Sequence, residues 1–306
     1  MLRFRRPGVR LLVIENEVDS MRGFLLTLGA TVLFSATASL AQLNPPNNMG
    51  VTVGHMHLNV HDVEAAKKFY LELGGTAIKS GPFEGVEYPG AIFLFTKADP
   101  SGAMEGSSVN HVGFLVKDGT ALVAKMQAEG VKVASNGTDP QGRIYGGYIY
   151  SPDGFKIEII ERPTLAVPIE FDQVHFFVAD PGPKGGSAWS ELQQWYAKEF
   201  GIKIQRAELT GPAPGNLSSA PMAQSNLSGV NFRFSKQDSK AVPTKGRALD
   251  HIGFEIKNLA AFCKKLEADG INFDTPYSVR EGGLGLAFIT DPVGTRIELN
   301  EGLDKR

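Results

Sequence analysis

Two histidine–glutamate pairs repeat at one spacing. His111 and Glu158 stand 47 residues apart, and so do His251 and Glu298. Each His opens an apolar run, NHVGFLV or DHIGFEI, and each Glu sits inside another, KIEIIE or RIELNE. A carboxylate in such a run is expensive to bury unless it is paired or bound to a cation. A further run, GHMHLNV, adds His55 and His57, which share one face because strand side chains alternate. Two imidazoles and one carboxylate from separate strands make the facial set that leaves coordination positions open on Fe(II), Mn(II) and similar ions. The first half of the chain thus offers His55, His111 and Glu158. Setting DQVHFFV beside GHMHLNV places Gln173 against His55 and His175 against His57, so the second half offers Gln173, His251 and Glu298. A Gln amide oxygen is a weaker, harder donor than imidazole. Duplication of a purely structural module would produce the same spacing, so the pattern alone leaves a metal-free protein open.

The elements that must position these residues also repeat. HMHLNV reads as a strand and DVEAAKKFYLEL as an amphipathic helix, with Asp62 as N-cap and Gly74-Gly75 as its stop. GAIFLFTK is a later strand, and KADPSGAMEGSS links it to the next cycle. There HVGFLVK is a strand, GTALVAKMQAEG a helix ended by Gly130, and VKVAS, GGYIYS and KIEIIE are strands. RPTLAVPIEFD, with two prolines and no periodicity, reads as an interdomain linker. VHFFVA, SELQQWYAKEFG and GVNFRFS then repeat the first cycle, and HIGFEIK, LAAFCKKLEADG, LGLAFIT and TRIELNE repeat the second. The unit is strand–helix–several strands, present four times in two pairs. The third copy carries an insertion, RAELTGPAPGNLSSAPMAQSNLSG, whose composition predicts an irregular loop.

The 306 residues, 42% of them hydrophobic, suit two globular domains. The net charge is −2 with no basic block in the body of the chain, which sets nucleic acid aside as a partner. The lone Cys263 has no second cysteine to pair with and lies on the apolar face of a predicted helix, as a small hydrophobe. Near the start, Arg22 precedes the apolar GFLLTLGATVLF and then Ser39-Leu40-Ala41, the layout of a secretory signal peptide cleaved after Ala41. Translation from Met21 would make the stretch before it an upstream extension. Residues 1–41 are therefore expected to direct export to the periplasm or beyond, leaving no membrane span after cleavage, because the apolar run is shorter than the ~18–20 residues a spanning helix needs.

The motifs HMHLNVHDVEAAKKFY, NHVGFLV, SPDGFKIEIIE, DHIGFEI and DPVGTRIELNE resemble the vicinal oxygen chelate superfamily of glyoxalases, bleomycin-resistance proteins and extradiol dioxygenases. The resemblance covers nearly all of 51–302. It implies an α+β fold of paired βαβββ modules, four modules in two tandem domains, 51–163 and 168–303. It implies a divalent metal (Fe, Mn, Zn or Ni) held by His55, His111 and Glu158 and by Gln173, His251 and Glu298. It also allows a swapped pairing, His55 with His251 and Glu298, and Gln173 with His111 and Glu158; the sequence does not choose. Glyoxalase I would need a second carboxylate where Leu94 and Arg233 fall. Extradiol enzymes carry a Tyr ten residues before the Glu, which Tyr148 matches and Phe288 does not, so Tyr148 and Glu158 are the catalytic candidates. His57, Arg143 and His175 are candidates for contacts with a small-molecule substrate. The expected function is an exported metal-dependent lyase, isomerase or dioxygenase acting on a small oxygen-chelating substrate. The rival is a metal-free sequestering protein of the bleomycin-resistance type, and a third option is one active and one decayed domain, with Gln173 marking the decayed one. A homodimer is a further arrangement this family resemblance allows.

Overall fold

The computed structural model describes residues 43–138, 144–206 and 222–303. The expected signal segment 1–41, Arg143 and the middle of the third-unit insertion lie outside the described residues. Four modules follow one another. The first is β1 (Val51–Val60), α1 (Val63–Glu72), β2 (Thr76–Ser80), β3 (Phe83–Tyr88) and β4 (Ala91–Lys97). The second is β5 (Val109–Val116), α2 (Gly119–Ala128), β6 (Lys132–Thr138), β7 (Ile144–Tyr150) and β8 (Lys156–Glu161). The third is β9 (Ile169–Val178), α3 (Ala188–Phe200), β10 (Lys203–Arg206), β11 (Met222–Leu227) and β12 (Val230–Lys236). The fourth is β13 (Leu249–Ile256), α4 (Leu259–Ala268), β14 (Phe273–Val279), β15 (Gly285–Thr290) and β16 (Arg296–Glu301).

Local chemistry explains the helix starts. Asp62 accepts the backbone N–H groups of Glu64 and Ala65, as expected of an N-cap, and Asp118 accepts that of Ala121. Carboxylates from the closing strands add to this. Glu161 takes the N–H of Gly119 at 2.9 Å, and Glu301 takes those of Asn258 and Leu259 at 3.0 Å each, placing negative charge at the N-termini of α2 and α4. Two boundaries differ from the sequence reading. Ile169–Asp172, assigned to the linker, opens β9 and pairs with β5; Met222–Leu227, assigned to the irregular insertion, forms β11. In both cases hydrogen bonding to a neighbouring strand overrides a weak local pattern.

The sheets do not follow the halves of the chain. One has the order β14-β15-β16-β13-β1-β4-β3-β2, the other β10-β11-β12-β9-β5-β8-β7-β6. The first module therefore pairs with the fourth, and the second with the third. Antiparallel β1–β13 and β5–β9 make the two seams. One apolar core includes buried side chains from both sheets and all four helices, with Tyr70, Phe93, Phe155, Phe176, Phe200 and Phe254 fully buried within it. Cys263 joins that core, and burial pushes its thiol up to about 11, which suits a packing residue.

Helices also bridge the sheets. Tyr196 on α3, whose module belongs to one sheet, donates its hydroxyl to Asp291 at 2.9 Å, in the turn before β16 of the other. Burial pushes the Asp291 carboxyl up to about 6, against donors from Thr295, Tyr196 and Val293 that favour the charged form. An unfolded Asp titrates near ~3.9. The folded chain therefore holds this proton to higher pH, and stability falls as pH rises from ~4 to ~6 and stays lower above. The Asp291→Asn protein is expected to exceed the parent in stability at pH 7.5 by up to about 3 kcal/mol, with no such gain at pH 4. Urea midpoints at the two pH values check this; an equal offset at both would rule out ionisation as the cause.

Candidate metal centre

The seams explain how the histidines meet. Between Val53 and His55 the β1–β13 register slips by one residue, so two β1 residues oppose one on β13. Such a bulge re-aims the strand. Before it, Val51 and Val53 face the core; after it, Met56, Leu58 and Val60 do, and His55, His57 and Asn59 turn to the opposite face. A second slip, between His57 and Leu58, leaves Asp250 as the extra residue on β13. His57 lies directly opposite His251, and their rings stack with centroids 4.5 Å apart. β16 runs beside β13 and supplies Glu298.

The result is a buried cluster of His55, His57, His251 and Glu298, in which one donor atom from each lies within 4.8 Å of all the others. His251 Nε2 is 2.8 Å from Glu298 Oε2, and His55 Nε2 is 3.8 Å from the same oxygen. Around them, Asp250 Oδ1 accepts from His251 Nδ1 at 2.6 Å and from Arg296 at 2.5 Å. Asn300 donates to Glu298, and His57 Nε2 pairs with the Thr96 hydroxyl at 2.7 Å. Burial, with His251 and His55 close by, pushes His57 down to about 2, so its imidazole is neutral. Burial works to raise Glu298, yet His55, His251 and Asn300 outweigh it and hold the carboxyl at about 2. Burial likewise works to lower His251, and Asp250 and Glu298 outweigh it, raising its pKa. An ionised carboxylate among imidazoles is the donor set a divalent cation takes, and the atoms converge closely enough to share one. The cluster floors a cavity of about 680 Å³ whose walls are mostly apolar: Phe83, Leu94, Leu284, Leu286, Phe288 and Leu303.

A related cluster lies on the other seam. His111, Glu158 and His175 converge within 4.8 Å, and the fully buried Gln173 stands among them. Glu158 Oε2 is 3.1 Å from His111 Nε2 and also accepts from Gln173 Nε2. The Gln173 amide oxygen is buried with no hydrogen-bond partner. Bulges recur here, with Asp172 extra before Gln173 and Asn110 extra before His111. Tyr148 meets the His111 ring edge-on at 5.1 Å, and Lys156 lies over the Tyr148 ring. Burial, then the neighbouring His111, then Arg233, opposite His175 in the β9–β12 register, lower the His175 pKa well below its usual value.

Of the two pairings the sequence left open, the swapped one is present and the one within each half of the chain is not. His55 does not join His111 and Glu158; it joins His251 and Glu298. Gln173 joins His111 and Glu158. His57 and His175, expected to contact substrate, stand among the candidate ligands themselves. Both clusters close within one chain. Leu94 lines the first cavity, and among the described residues no second acid joins Glu298 in the converging set. Sequence reasoning missed Asp250, Asn300, Thr96 and Arg296, whose roles depend on bulges and on neighbouring strands. It also passed over Gly253 and Gly113 in the HIGF and HVGF motifs. A Cβ on Gly253 would lie 2.1 Å from the His55 ring, and one on Gly113 2.6 Å from Gln173. Each glycine leaves the space that the neighbouring strand's donor occupies.

A family model for the Glyoxalase/Bleomycin resistance protein/Dioxygenase superfamily matches residues 52–159 and 190–299, most of the chain. The chain belongs to that superfamily. Within this glyoxalase/dioxygenase group it is 26% identical over 166 residues to a chloroplastic protein of Arabidopsis thaliana named as a probable lactoylglutathione lyase. That match covers 50% of this chain and 45% of the relative, so the chain spans about half of the curated protein it matches. The fold is similar to that of glyoxalase I from Zea mays, with a TM-score of 0.62 at 16% identity over 83% of this chain and 94% of that one. A "putative dioxygenase" of Bacillus subtilis is also similar, with a TM-score of 0.59 at 13% identity over 85% and 86%. These likenesses establish the paired-module α+β fold for this superfamily member. No helix among its described residues is long and apolar enough to cross a membrane.

Proposed function

We propose that the protein is a metal-dependent enzyme acting on a small substrate that presents two adjacent oxygens. The observation that carries this reading is the convergence of His55, His251 and Glu298, from the first and fourth modules, on the floor of a cavity large enough for such a molecule. A divalent metal bound there would act as a Lewis acid on the substrate oxygens. His55, His251 and Glu298 would hold it, with His57 beside them. The neutral His57, fixed by Thr96, serves as a hydrogen-bonding group and not as a proton store. Phe83, Leu94, Leu286 and Phe288 line the cavity with apolar surface, which lowers the local dielectric and strengthens charge interactions at the floor.

Of the superfamily's metal chemistries the donor set favours the dioxygenase type. With His57 held by Thr96, two imidazoles and one carboxylate remain to hold the metal and would leave positions open for substrate and oxygen. The isomerase carried by glyoxalase I would need a second carboxylate, and the position the family resemblance implies for it falls at the apolar Leu94. Phe288 meets His251 edge-on, as Tyr148 meets His111, so the floor cluster has no phenol at that position. A second reading, metal-free sequestration, draws on the mostly apolar cavity wall. Export remains part of the proposal through residues 1–41; the N-terminus of the mature protein, expected just after Ala41, tests it.

Loading the purified protein with Fe(II), Mn(II), Zn(II) or Ni(II) separates the readings. Oxygen uptake by the iron form with a small vicinal-dioxygen compound is the expected result. Turnover of lactoylglutathione, the compound in the name of the Arabidopsis relative, by the zinc or nickel form would instead favour the lyase or isomerase. Ligand binding unchanged by a chelator, without turnover, would favour sequestration.

A further inference from the structure

Besides Gln173 standing where the first cluster has His55, the two clusters differ at one bulge residue, and resting on the metal-centre reading above we infer that this residue widens the difference in their metal affinity. Neighbouring residues on a regular strand point to opposite faces. At the β13 bulge Asp250 is the extra residue, and this brings its carboxylate beside the ring of the next residue, His251, at 2.6 Å. At the corresponding bulge on β5 the extra residue is Asn110, and its amide oxygen reaches His111 Nδ1 at 2.9 Å. The same geometry thus presents a full negative charge in one cluster and a neutral dipole in the other.

Asp250 is built to stay ionised and still. It accepts from Arg296 at 2.5 Å, from the Gly246 backbone at 2.7 Å and from Asn59 at 3.4 Å, besides His251. A carboxylate on the outer nitrogen of a ligating histidine fixes its tautomer, aims the other nitrogen and raises its basicity. Glu298 is braced in turn by Asn300, whereas Ile160 fills the matching place after Glu158. Asp250 is therefore a positioning residue that gives the His55–His251–Glu298 centre the tighter hold. Asn110 withholds that support from the His111–Glu158 centre, which Gln173 already makes the weaker one. A counter-ion for a carboxylate at position 110 is already present, because Lys156 Nζ lies 3.4 Å from the Asn110 oxygen.

Cobalt(II) titration of the full chain against a competing chelator tests this. Glu158→Ala isolates the first centre and Glu298→Ala the second. Adding Asp250→Asn to the former is expected to weaken cobalt binding about 10- to 100-fold, and adding Asn110→Asp to the latter to tighten it about tenfold or more. The gain at position 110 guards against a merely structural role for Asp250, since a fold defect would not improve the other centre. Unchanged affinity in the Asp250→Asn protein, or no gain from Asn110→Asp, would overturn the inference while leaving the metal reading intact. A parent chain that takes up no cobalt at either centre would overturn both.

Discussion

The Glu298→Gln protein is expected to lose metal from the first centre and, with it, turnover. Glu298 is the one carboxylate in the converging set with His55, His57 and His251. Its replacement by an amide removes the charge that a divalent cation would neutralise and leaves three imidazoles facing one another. Loss of a group one shell further out costs about 10–100-fold in metal affinity, so loss of this one is expected to cost at least about 100-fold. Catalysis by charge stabilisation then falls on the order of 10³-fold in kcat/KM, the scale seen when a principal stabilising group is removed. Glutamine keeps the shape of the side chain, so folding survives, and far-UV circular dichroism should match the parent. Metal-saturated turnover equal to the parent's would contradict the assignment of Glu298.

The second large effect is predicted for a residue with no functional group. Gly253→Ala is expected to disable the first centre by displacing His55. The added methyl would sit 2.1 Å from the buried His55 imidazole, so the ring must leave its place beside His251 and Glu298. Overpacking of this kind costs about 1–3 kcal/mol. Cobalt binding at the first centre should be lost while the second remains. Gly113→Ala, whose methyl would meet Gln173 at 2.6 Å, is expected to do the reverse. Titration of both proteins checks the pair. Normal cobalt binding at the first centre of the Gly253→Ala protein would show that the glycine is not there to admit His55.

Those glycines show where the sequence was legible and where it was not. The repeat, the helix capped by Asp62 and most of the candidate donors could be read directly, because a carboxylate in an apolar strand stands out on energetic grounds. Which donors meet could not. Proximity along the chain favours His55 with His111, while the β1–β13 and β5–β9 seams pair the modules the other way. Strand alternation also fails at Asp172, Asn110 and Asp250, because a bulge adds a residue without any mark in the local composition. Gln173, which pointed to a decayed second half, belongs in space with His111 and Glu158. The weaker donor set is thus assembled from the middle two modules. Ile169–Asp172 looked like linker since its pairing partner lies more than 50 residues earlier.

One cation is expected to be shared by the first and fourth modules. Anomalous diffraction from cobalt-loaded crystals tests this most directly. A peak is predicted at coordinating distance, about 2.0–2.2 Å, from His55, His251 and Glu298 together. A peak on any surface site alone, with those three side chains bonded only to one another, would contradict it.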